Sequence, residues 1–153
     1  MTASALSNAV TPSNAPSFVQ QVSGRGHAGS LTVTPGSAVT SGDRIVVEVG
    51  VWNSAHATAS GVTDTAGNTY TELTHFAASD GTEMSVWTAP ITAGGGTKPT
   101  ITAKVTSSAD IGVAAAEYSG LSTAAGGDGG GPDRHLGAVG GGEVSQLGVG
   151  VAG

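Results

Sequence analysis

The sequence predicts an all-β domain, a sandwich with Greek-key connections, and three observations carry that expectation. Apolar residues alternate with period two in several short runs, turn signals separate the runs at regular spacing, and no window holds a 3.6-residue period bounded by helix caps. At 153 residues the chain suits one domain with a real core rather than two.

Taken in order, residues 1–15 are mostly Ser, Thr, Asn, Ala and Pro. Pro12 and Pro16 oppose a helix there, so an extended N-terminal arm is expected. A first strand is expected from Ser17, where Phe18, Val19 and Val22 form an apolar patch. Gly24, Gly26 and Gly29 should break it, and Leu31 and Val33 should start a second short strand that ends at Pro35 and Gly36. From Arg44 to Trp52 the alternation is strongest. Ile45, Val47, Val49 and Val51 fall on one face, and Val46, Glu48, Gly50 and Trp52 on the other, which reads as a central strand.

The stretch Asp64 to Asn68 is a turn signal that leads as a hairpin into a strand over Thr69 to Ala77. A second tight turn, Ser79 to Thr82, introduces a strand from Glu83 to Ile91, with Met84 and Val86 opposite Trp87 and Ala89. After the loop Gly94 to Gly96, strands are expected over Thr100 to Val105, with Lys104 facing solvent, and over Ile111 to Tyr118. Seven or eight short strands thus occupy residues 16–122. Residues 123–153 form a Gly-rich C-terminal tail with sparse apolar residues, among them Val144, Leu147, Val149 and Val151. Glycine loses the most entropy on ordering, so the arm and the tail are expected to order against a neighbouring subunit, where the tail contributes a strand or inter-subunit contacts.

Four segments carry a resemblance: Gly42 to Trp52, Val62 to Tyr70, Trp87 with Pro90 to Gly96, and Ala116 to Leu121. Together they resemble an Ig-like β-sandwich module found in surface proteins of high-GC bacteria, and similar modules decorate tailed-phage virions. The resemblance covers residues 17 to 121 and implies an Ig-like Greek-key sandwich. It brings no catalytic residue. The chain departs from that pattern after Leu121, where the Gly-rich segment replaces further β-structure.

Composition narrows the function class. Charged residues make up 10% of the chain and aromatics 4%, a poor supply for a site that needs convergent acids and bases. With no cysteine there is no thiolate nucleophile and no Cys-based metal site. The net charge of −6 and the scattered lysines and arginines oppose a direct nucleic-acid surface. Residues 1–15 have neither a basic n-region nor an apolar h-region and do not read as a secretory signal. No apolar run is long enough for a spanning helix, so no membrane partner is expected. His27, His56, His75 and His135 lack ligand spacing. Asp64, Asn68 and Asp80 offer oxygen atoms for Ca²⁺ but lack the loop pattern, and Asx-turns explain them more simply.

No enzyme activity and no cofactor are therefore expected. Trp52 and Trp87 are candidates for core or interface residues or for an aromatic platform that takes sugar, and Glu117, beside Tyr118, for a satisfied edge carboxylate or an inter-subunit contact. The expected role is a capsid decoration or accessory protein of a tailed phage. Such a protein would be made in the host cytoplasm and located on the virion, with the major capsid protein or other virion subunits as partners, and homo-oligomeric. The alternative is a secreted or cell-surface adhesion or carbohydrate-binding module.

Overall fold

The computed structural model describes residues 15–52 and 56–121, so residues 1–14 of the expected arm and the whole expected tail lie outside the described residues. The described chain is all-β, an open antiparallel sheet of six strands. These are β1 (Ser17–Val33), β2 (Arg44–Trp52), β3 (Ala59–Asp64), β4 (Thr71–Ala77), β5 (Thr82–Pro90) and β6 (Ile101–Ser119). Their order is β1-β6-β2-β5-β4, and β3 also pairs with β6.

Two strands are longer than the sequence suggests. β1 runs through Gly24, Gly26 and Gly29 without ending, because each stretch of it has a partner on β6: Gly24 opposes Val113, Gly26 opposes Ile111, and Val33 opposes Ile101. Only a register irregularity between Ala28 and Ser30 marks the position of Gly29. β6 likewise merges the two strands expected at 100–105 and 111–118. Continuous pairing supplies the backbone hydrogen bonds that the local sequence does not promise, and it turns the expected seven or eight strands into six.

β6 is the spine of the sheet. Its first part pairs with the end of β1 and with β3, and its second part pairs with the start of β1 and with β2. Along it Ile101, Ala103, Val105, Ile111, Val113 and Ala115 alternate inward and are all buried. They form one cluster with Ile45, Val47, Val49 and Val51 of β2 and Val62 of β3. A single cluster fed by both parts of β6 requires the sheet to curl around its own inner face. β3 accordingly lies against β2 and β5 without pairing to them.

The Asp64–Asn68 turn is not a hairpin. β3 pairs with β6 whereas β4 pairs with β5, so the turn carries the chain from one part of the sheet to the other. The Ser79–Thr82 turn does close a hairpin, β4 to β5. There the Thr82 amide donates to the Asp80 carboxylate at 2.9 Å, an Asx-type closure that holds the Asp80 carboxyl below its ordinary range.

Candidate binding surface

The structure separates the four residues singled out from the sequence. β2 pairs with β6 from Trp52 opposite Asp110 to Arg44 opposite Tyr118. Trp52 and Tyr118 therefore lie at opposite ends of the ladder, about 27 Å apart at the rise of an antiparallel strand. Trp87 opposes the inward Val47, so its indole belongs to the inner face, where it packs against the core and donates to Ser85 Oγ at 2.9 Å. Trp52 is on the outer face and 44% exposed. The two tryptophans form no common platform.

Glu117 is 3% exposed and lies on a central strand. Its Oε2 accepts from Gln20 Nε2 at 2.6 Å and its Oε1 from the Thr40 amide at 2.7 Å. Gln20 in turn accepts from the Ser37 amide at 2.9 Å. The carboxylate thus ties β1 and the 34–43 loop to β6, an internal use that keeps it from a partner. Asp43 completes this cluster. Burial, then the neighbouring Glu117 charge and their hydrogen bond, pushes the Asp43 carboxyl above its usual range.

The folded chain therefore holds the Asp43 proton more tightly than the unfolded chain does. Its contribution to stability is present below the ordinary aspartate value and is lost as pH rises through the raised one. Asp43→Asn is expected to raise stability at neutral pH and to flatten the fall in stability as pH rises above the ordinary aspartate range. Urea midpoints from the ordinary aspartate range up to neutral pH would show this, and an unchanged slope would count against a raised Asp43 carboxyl.

Tyr118 faces outward beside Phe18, with ring centroids 5.9 Å apart in an edge-to-face arrangement. Between it and Trp52 the outer face of β6 carries only Gly112, Ala114 and Ala116, apart from the terminal Asp110. These small residues form the floor of a valley. Its walls carry Gln21 and Arg25 on the β1 side and Val46 and Glu48 on the β2 side. At the Trp52 end the valley widens to about 310 Å³ and reaches Met84, and toward Tyr118 it continues with about 150 Å³.

The Trp52 ring is seated in this valley by two glycines that oppose each other, Gly50 and Gly112. A methyl group on Gly50 would come 2.8 Å from Trp52 Cη2, and one on Gly112 would come 3.2 Å from Cζ3. A side chain at position 50 leaves no room for the indole in this place, and one at position 112 crowds it. Gly50→Ala is therefore expected to lift the ring off the sheet, changing Trp52 fluorescence and near-ultraviolet dichroism, while an exposed side chain that swings freely keeps the stability loss within about 1 kcal/mol. An unaltered spectrum would contradict this seating.

Sequence reasoning missed Arg25, Gly50, Gly112 and Met84 as parts of one surface. A glycine inside each of two strong strands was the available signal, since an interior glycine marks a close approach. The remaining polar candidates serve the fold or the surface. Asp64 accepts from three backbone amides, those of Ala66, Gly67 and Asn68, in an Asx-type turn. His27 pairs with Asp110 at 3.0 Å and His75 with Glu72 at 3.4 Å, both exposed. His135 lies outside the described residues. Among the described residues no cluster of three or more His, Asp or Glu side chains is placed to hold a metal ion. No described helix is long and apolar enough to cross a membrane.

No family model matches the chain, nor does any curated protein or solved structure.

Proposed function

We propose that the chain is a non-enzymatic structural protein of a tailed-phage particle, a capsid decoration or accessory protein on an Ig-like Greek-key sandwich. The observation that carries the reading is strand edges that stay unpaired among the described residues. β1 and β4 each end the sheet path, and both present large apolar side chains: Phe18 is 55% exposed, Leu73 52% and Phe76 63%. Every residue of β4 is exposed. An open edge with apolar side chains invites pairing with another chain, and a subunit junction buries both its amides and its apolar surface. The acidic charge supports solubility between such contacts.

The test is co-sedimentation of the purified protein with phage heads that lack their accessory proteins. Saturable binding is expected, with loss in Leu73→Lys and Phe76→Lys variants that keep the wild-type unfolding midpoint. A protein that stays in the supernatant with every head preparation would overturn the reading. The second reading, a surface module that binds carbohydrate, is favoured by the seated and exposed Trp52 ring.

A further inference from the structure

We propose that the outer face of β6 is a saccharide-binding groove, with the Trp52 indole as its stacking platform. This rests on the second, carbohydrate-binding reading and names its site, and it is separate from the assembly reading. That reading rests on the sheet edges, whereas the groove lies on the face between them.

The argument begins with the ring. An indole that is 44% exposed and seated on Gly50 and Gly112 presents a fixed apolar plane to solvent at little entropic cost. Its surroundings are polar and of both signs. In the cross-strand row through the glycines, Arg25 lies beside Gly112, and Glu48 is the next outward residue of β2. The exposed His27–Asp110 pair flanks Trp52 one row further along. At a strand spacing of about 4.8 Å these groups lie within reach of one small ring placed on the indole.

This pattern selects the occupant. A purely apolar partner would have to strip water from Arg25 and Glu48 without replacing their hydrogen bonds, which is costly. An extended peptide also fits poorly, because the backbone groups of the valley floor are already paired in the β1-β6-β2 ladders and offer nothing to a peptide backbone. A pyranose has what the groove asks for: an axial C–H face for the indole and a rim of hydroxyls for charged side chains. The groove continues past Ala114 and Ala116 toward Tyr118, with Gln21 and Glu48 on its walls. That length suits a short linear oligosaccharide rather than a single sugar.

The experiment uses the full chain. A glycan array first selects the strongest oligosaccharide, which is then titrated into ¹⁵N-labelled protein and followed by NMR. Saturable shifts are expected at the Trp52 indole N–H and at the Gly50, Gly112 and Ala114 amides. Trp52→Ala should weaken binding by about tenfold or more. Arg25→Ala should weaken it while preserving the ring environment, and Lys104→Ala, exposed on the far part of β6, should bind like wild type. If Trp52→Ala fails to fold, Gly50→Ala serves instead, since it displaces the ring and leaves the core intact.

Three outcomes would overturn the proposal: no saturable ligand on the array, equal affinity in the Trp52 variant, or concentration-dependent shifts at these amides without sugar. The last would make the face a contact between copies. Head binding that is lost in the β4 variants but kept in the Trp52 variant would leave the assembly reading standing whatever the sugar result.

Discussion

Asp64→Ala is expected to cost about 3 kcal/mol of stability, a large share of what a small domain has. One carboxylate there holds five donors. Oδ1 accepts from the amides of Ala66, Gly67 and Asn68 at 2.7 to 3.1 Å, and Oδ2 accepts from Asn68 Nδ2 at 2.8 Å and the Tyr70 hydroxyl at 3.1 Å. Asn68 is 6% exposed and passes the constraint on, since its Oδ1 accepts from the amides of Thr92 and Ala93 and its Nδ2 donates to the Ala93 carbonyl. Alanine at position 64 leaves buried donors without acceptors, and a hydrogen bond to a charged group is worth about 1.5 to 3 kcal/mol.

Some of these amides regain water, which is why the expected loss is well below the sum. Burial, then the Asp64 charge and the bond to it, holds the Tyr70 hydroxyl protonated far above its ordinary range, so the network does not titrate through the tyrosine near neutral pH. A fall in urea midpoint at constant m-value would show the loss. A change under about 1 kcal/mol would mean that the 92–93 loop is held by other contacts. The functional consequence follows from topology: this lock fixes where the chain crosses from β3 to β4, and so sets the edge on which the assembly reading depends.

Ile111→Ala is expected to cost about 3 to 4 kcal/mol, near the upper part of the range for buried aliphatic residues. Ile111 is 1% exposed and sits on the spine between Gly26 of β1 and Val51 of β2. The neighbouring glycine supplies no side chain to close the space, and β2 is held on its other side by β5, so neither partner can move in freely. Ile111→Val should cost only about 1 kcal/mol. Lys104→Ala on the same strand, exposed and facing away from the core, should change stability by no more than about 0.5 kcal/mol. Denaturation of the three variants checks the order. If Ile111→Ala proved as mild as Lys104→Ala, the single curled core would be wrong.

Much of the β-structure was legible in the residues. The run from Ile45 to Val51 showed its period directly, and its expected bounds at Arg44 and Trp52 coincide with those of β2. Met84 and Trp87 were assigned to opposite faces of their strand, and the register places them so. The glycines of β1 and the Thr106 to Ser108 stretch of β6 misled, because local composition there favours a loop and only a partner strand overrides it. The crossover at Asp64 was misread for a related reason: a turn signal reports that the chain bends, not which strand it joins next.

The sequence by itself determined the β class, the inward and outward face of most strands, and the Asx turns. Each of these follows from backbone geometry and from side chains a few residues apart. Only the tertiary structure decided that the two tryptophans lie on opposite faces of one shared sheet, that Gly50 meets Gly112 beneath an indole, and that Glu117 is consumed internally by Gln20 and Thr40. Those are consequences of register between segments up to 97 residues apart, as for Gln20 and Glu117. Register is set by the summed burial of a whole face, and no local run of residues contains that sum.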